Sequence, residues 1–211
     1  MTYRDSEEEI RANAIISKDC ARIGIYIESP WDLVGSHSKY EMTEGLAAIF
    51  AKHLTQPYPN KVVEGLMFAA ARPETRQLLF EPVLSVLKKE GDSYLGQHAV
   101  HALTKMLIPT DSRLLQNLVL DETLRDSRGL LMEPYAKLAK KAAIPTLHKA
   151  FRDGNDFLKV ESLRQLSKLG DQTIKDDLEL LAKHPRSEYR KVARDGLLRL
   201  EREASRTRRL N

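Results

Sequence analysis

Residues 156–201 read DFLKVESLRQLSKLGDQTIKDDLELLAKHPRSEYRKVARDGLLRLE, and this pattern decides the fold class. Leu158, Ser162, Leu166 and Leu169 fall on one side of a helix. About 31 residues later Tyr189, Ala193, Leu197 and Leu200 repeat the arrangement. Gly170-Asp171 closes the first helix, a connecting helix follows, and His184-Pro185 breaks the chain before the third. Two alike helices at this separation, joined by another, mark a stacked-helix repeat protein in which each hairpin covers the apolar side of its neighbour.

The pattern continues towards the N-terminus. With Leu166 as reference, the equivalent positions are Leu138 with Pro134 and Leu130, Leu103 with Ala99 and Leu95, and Ala70 with Leu66 and Val62. The steps are uneven, as in diverged repeats with turns of variable length. Pro134 sits inside its helix, where it removes a hydrogen bond and is expected to kink the axis. Helices are expected near 60–71, 74–89, 93–107, 112–120, 127–140, 145–152, 156–169, 172–183 and 187–204.

The segments YRKVARDGLLRL (189–200) and FLKVESLRQLSKLGD (157–171) resemble the first helix of a HEAT-like repeat, of the armadillo-type class that includes the bilin-lyase repeats. The resemblance runs from about residue 60 to the end of the last helix. It implies an all-α fold, a short right-handed α-solenoid of HEAT-like helical hairpins over 60–204. Residues 1–59 would supply capping helices and a loop, and 205–211 a basic tail, within a single domain. Such repeats serve many unrelated functions, so the resemblance specifies a fold and no activity.

Before the array, Ser6 and Glu9 form a capping box that opens a helix near Glu7. Ile10, Ala14, Ser17, Ala21 and Ile25 continue one stripe, while Ile23 to Ile27 also alternates like a strand. The helix is the preferred reading, because a lone strand in a helical stack has no partner. Ser38 with Glu41 forms a second capping box, for a helix over 39–54 that Pro57-Tyr58-Pro59 ends. The last residues, 205–211, are expected to fray.

Composition narrows the function. The 42% hydrophobic and 30% charged content over 211 residues suits a thin stack with much exposed surface. A single cysteine, Cys20, excludes an intramolecular disulfide and suits a reducing compartment, so a cytoplasmic location is expected. No apolar run approaches the ~20 residues needed to cross a bilayer, and no leader-like apolar stretch opens the chain, so no membrane association is expected. The net charge of +4 is local: residues 183–211 carry 10 basic and 4 acidic side chains. The basic balance therefore describes one end of the chain.

Catalytic patterns are missing. There is no P-loop, GxGxxG, CxxC, HExxH or GxSxG. His98 and His101 share a helix face, but an HxxH pair supplies two ligands where zinc takes three or four, so neither metal nor other cofactor is expected. The clearest positional signal is a column of cations, Arg72, Lys105, Lys140, Lys168 and Arg199, each ten residues after a stripe-opening residue. One reading is complementation of helix C-terminal dipoles. The other is a ladder of positive charge facing an acidic partner. Tyr94, His98, His101 and Lys105 lie on one face, with Phe68 and Arg164 at the His101 position of their own helices. Aromatic, histidine and arginine side chains together suit a protein interface, or a lateral seam between repeats.

Three functions follow as expectations. The first is a non-enzymatic protein-binding module of the adaptor or bacterial immunity and antitoxin type, whose partner presents an acidic surface. The second is a nucleic-acid-binding protein similar in fold class to the alkylpurine DNA glycosylases, which use tryptophans and an aspartate around the lesion. Here that role would fall to Trp31 and Asp32, with Arg199, Arg202, Arg206 and Arg209 as a stripe for phosphates. A lone Trp in such a place more often plugs the end of the stack, and that is the preferred reading of Trp31. The third is a bilin-lyase-like assembly factor, for which Cys20 is the only thiol. The oligomeric state is left open.

Overall fold

A computed structural model of the chain describes residues 5–35 and 40–210, with side chains through residue 206. The described residues are all-helical and include no strand. No described helix is long and apolar enough to cross a membrane. The chain forms two compact units, residues 1–107 and 108–211. The boundary expected at 59/60 falls inside the first of these.

The first unit holds α1 (Glu7–Ala21), α2 (Glu44–Leu54), α3 (Asn60–Ala70), α4 (Arg76–Glu90) and α5 (Tyr94–Met106). The capping box at Ser6 forms as expected: the Glu9 amide donates to Ser6 Oγ at 3.2 Å, and the Ser6 amide donates to the Glu9 carboxylate at 2.7 Å. Helices α4 and α5 pack as a hairpin, α2 lies against α4, and α3 against α5. Helices α2 to α5 therefore each bury one side on a hairpin mate and another on the equivalent helix of the other hairpin in this unit. Val62, Leu66 and Ala70 of α3 and Leu95, Ala99 and Leu103 of α5, the expected stripes, are all buried. Truncating one of these leucines to alanine costs ~2–5 kcal/mol.

The second unit holds α6 (Ser112–Leu120), α7 (Ser127–Ala139), α8 (Ile144–Asp153), α9 (Asp156–Lys168), α10 (Lys175–Leu181) and α11 (Ser187–Leu210). Hairpins α6–α7, α8–α9 and α10–α11 follow one another. Helix α9 packs on both α7 and α11, and α6 packs on α8. Several side-chain bonds within the units join residues about one repeat apart. Arg76 Nη1 donates to the Met106 carbonyl at 2.8 Å. Gln116 Nε2 donates to Thr146 Oγ1 at 3.0 Å, and Asn155 Nδ2 to Asp126 Oδ1 at 2.6 Å.

Several expectations need correction. Residues 22–28 are neither helix nor strand. Helix α1 stops at Ala21 and the chain turns through Gly24, whose φ of +78° suits a residue without a Cβ. The alternation holds over three residues: Ile25 and Ile27 are buried and Tyr26 is exposed, while Ile23 is exposed as well. The hydroxyl of Tyr40 serves the backbone there, accepting from the Tyr26 amide at 3.3 Å and donating to its carbonyl at 3.2 Å. Helix α2 begins at Glu44 instead of 39, because Thr43 Oγ1 accepts from the Leu46 amide and caps it. The Ser38 half of the expected capping box lies outside the described residues.

Helices expected from 74 and from 172 open instead with 3-10 turns, Pro73–Thr75 and Gln172–Ile174. In α7 the expected stripe is only partly buried: Pro134 is buried and Leu138 half-buried. Leu130 is 42% exposed, whereas Leu131, Met132, Tyr135 and Ala136 are buried. Helix α7 continues through Pro134, as α4 does through Pro82. Finally, α11 runs to Leu210 as one helix, six residues past its expected end.

Candidate binding surfaces

In the first unit, an aromatic and histidine cluster forms where α3, α5 and the 3-10 turn Pro30–Leu33 meet. The turn is closed by Asp32, whose carboxylate accepts from the Glu28 and Ser29 amides at 2.7 and 3.0 Å. It places Trp31 against α3. The indole Nε1 donates to the Lys61 carbonyl at 3.1 Å, and the ring lies 5.7 Å from Phe68. Phe68 is 5.0 Å from His98 and 5.8 Å from His101, and Tyr94 meets His98 edge-on at 4.2 Å. Four of the expected residues are thus brought together, with Trp31 added to them.

Glu64 is the member that the sequence did not single out. Its carboxylate accepts from the Tyr94 hydroxyl at 3.1 Å and lies 3.0 Å from His98 Nε2, off the line that a hydrogen bond needs. The signal was present, since Glu64 stands four residues before Phe68 on the same helical face. The carboxylate pushes the Tyr94 phenol up from its ordinary value. Partial burial, then Lys105 and His98, hold His101 below the ordinary imidazole range. Among the described residues no three His, Cys, Asp or Glu side chains gather as a metal ion needs.

The cation column has different local fates. Arg72 lies beyond the end of α3 in extended backbone, and its guanidinium donates to the Leu33 carbonyl at 3.1 Å. Lys105 is exposed on the last turn of α5. Lys140 stands just past α7 with φ of +51°. Arg164, from the neighbouring set, pairs with Glu161 at 3.3 Å, and burial raises that carboxyl above its usual value.

Lys168 and Arg199 do come together. With Arg202 and Arg206 they line a hollow of about 270 Å³ between the end of α9 and the second half of α11. The spacing of 199, 202 and 206 keeps the three arginines on one helical face. Glu203 is the one carboxylate lining the hollow, and it lies 3.9 Å from Arg206. Lys168 is drawn towards Glu133 at 3.4 Å. Arg199 and Arg202 have no ion-pair partner among the described residues. The side chain of Arg209 lies outside the described ones. Two of the four cations, Arg199 and Arg202, are thus without local neutralisation and suited to carboxylates or phosphates.

Two further groups are committed to the fold. His53 is buried between Tyr58, whose hydroxyl lies 2.9 Å from Nδ1, and Asp19, whose carboxylate lies 3.1 Å from Nε2. Cys20 is fully buried in α1, and burial pushes its thiol up to about 11. The thiolate that an attachment reaction needs is thereby disfavoured. Compared with family models, with curated proteins and with solved structures, the chain finds no match.

Proposed function

We propose that this chain is a non-enzymatic protein-binding module, a short right-handed solenoid of HEAT-like helical hairpins of the adaptor or immunity and antitoxin type. The observation that carries the proposal is the hollow lined by Lys168, Arg199, Arg202 and Arg206. Arg199 and Arg202 have no ion-pair partner among the described residues there, and arginine binds carboxylates through paired N–H donors. Helix packing supports the solenoid: within each unit, hairpins bury their sides on one another and bonds between them recur at about thirty residues. The partner's matching surface is acidic.

A second reading, nucleic-acid binding, draws on the same three arginines, which stand on one helical face and suit phosphates. It is the weaker of the two. Trp31 and Asp32, the pair a lesion-reading site would need, are occupied by the Lys61 carbonyl and by two backbone amides.

The test is affinity capture from the source-cell extract with the full chain and with an Arg199→Glu/Arg202→Glu variant. The primary reading expects an acidic protein captured by the native chain, resistant to nuclease, and reduced at least about tenfold by the double substitution. Capture that disappears with nuclease carries the second reading. Equal capture by both chains refutes the role of the hollow.

A further inference from the structure

The second unit has a gap in its packing at the opposite end of α9 from the basic hollow. Helix α6 packs on α8, but α8 and α10 share no comparable contact. A groove of about 550 Å³ occupies that place instead. Val160 and Leu163 of α9 lie at its base, Phe151 of α8 and Leu181 of α10 line it, and Tyr189 stands at the start of α11. The cause is local: α10 has only seven residues, ends at Leu181, and gives way to the break at His184-Pro185. Leu180 is left on the groove wall with 71% of its surface exposed. An open wall of this kind distinguishes the groove from a small-molecule pocket, which encloses 70–90% of its ligand.

The rim carries a charge signal. Arg152, Lys159 and Lys183 line the groove, and none has a carboxylate partner among the described residues. The two carboxylates present, Asp156 and Asp177, sit in the first turns of α9 and α10, where the helix dipole favours them. Three uncommitted cations beside an apolar slot one helix wide complement a helix with an apolar stripe and acidic flanks. A second copy of this chain fits less well, since two such rims would set like charges against each other.

We propose that the groove between α8 and α10 binds an acidic amphipathic helix of a partner protein, which completes the missing layer. Its apolar residues, at i, i+4 and i+7, cover Leu180, Leu181 and Phe151. Its carboxylates meet Lys159, Lys183 and Arg152. This site is separate from the basic hollow and stands or falls independently of it.

The test is selection from a displayed library of random peptides about 16 residues long against the full chain, with affinities measured for the enriched sequences. The enriched peptides are expected to combine apolar residues at helical spacing with excess Asp and Glu. Leu180→Asp should weaken them at least about tenfold, and Lys159→Glu should do so in a salt-dependent way. Leu180 is exposed and Lys159 unpaired, so both variants should keep the native circular dichroism and melting temperature. Arg199→Glu/Arg202→Glu should leave these affinities unchanged, which separates failure here from failure of the hollow. Enrichment of basic or non-amphipathic peptides, no enrichment, indifference to Leu180→Asp, or displacement of the peptides by dodecanoate as the tighter ligand would each overturn the proposal.

Discussion

Trp31 stands directly on Gly65. A Cβ built at position 65 would lie 2.8 Å from the indole Nε1 and 3.0 Å from Cδ1. The indole cannot slide away freely, because the same nitrogen donates to the Lys61 carbonyl.

Gly65→Ala is therefore expected to lift the indole, break that bond and destabilise the first unit by ~1–3 kcal/mol. The chain has one tryptophan, so its emission reports this contact alone. A red shift in emission with a lower urea midpoint is the expected result; unchanged emission and midpoint would show that the ring has room.

Acid should weaken the fold in a defined window. Burial holds His53 below its ordinary value of 6.5, with the Asp19 carboxylate opposing the shift. The native state then binds fewer protons than the unfolded chain just below pH 6.5, so stability is full above that value and falls as the pH drops beneath it. His101 is shifted the same way and adds to the slope. Asp19, held low chiefly by its bond from Lys52, loses its contribution only below pH 3.8. Urea midpoints should fall between about pH 7 and about pH 5, and His53→Gln should reduce but not abolish that fall. A flat profile in the native chain would contradict the burial of His53.

Lys140 holds φ +51° and ψ −134°, a conformation that costs any residue with a Cβ. Lys140→Gly is expected to stabilise the second unit by ~1 kcal/mol, or about 2–4 °C in Tm. If Lys140 contributes to partner capture, the same variant loses affinity while gaining stability, and the two measurements separate the roles.

Cys20 should be inert in the native chain. It is fully buried and its thiol titrates at about 11. Ellman's reagent at about pH 8 should give no colour until urea is added, then one thiol per chain. Rapid labelling without denaturant would mean that α1 opens readily.

The sequence made the helices legible where caps and periodicity agreed. Ser6 accepts the amide bond that its capping box promised. It misled where two signals competed. Ile23 to Ile27 alternates because Ile25 and Ile27 are buried, but its backbone is served by the Tyr40 hydroxyl, a long-range side chain no local pattern shows. In α7, Leu130 fitted the step and Leu131 took the buried place. The column of cations shows the limit most clearly. Equal spacing drew Arg72 and Lys168 together in sequence, yet Arg72 ties down the Leu33 carbonyl while Lys168 lines the hollow. The groove beside α10 left only the His184-Pro185 break in the sequence, because it arises where α8 and α10 pack little on each other.

Within each unit, bonds that join neighbouring hairpins link residues about one repeat apart, as from Tyr94 to Glu64 and from Gln116 to Thr146. Contacts of such short range keep contact order low and favour fast folding. During synthesis, each such bond can close as soon as its second residue clears the ribosome tunnel, so an exposed apolar stripe waits only a few seconds at ~5–20 residues per second for its cover.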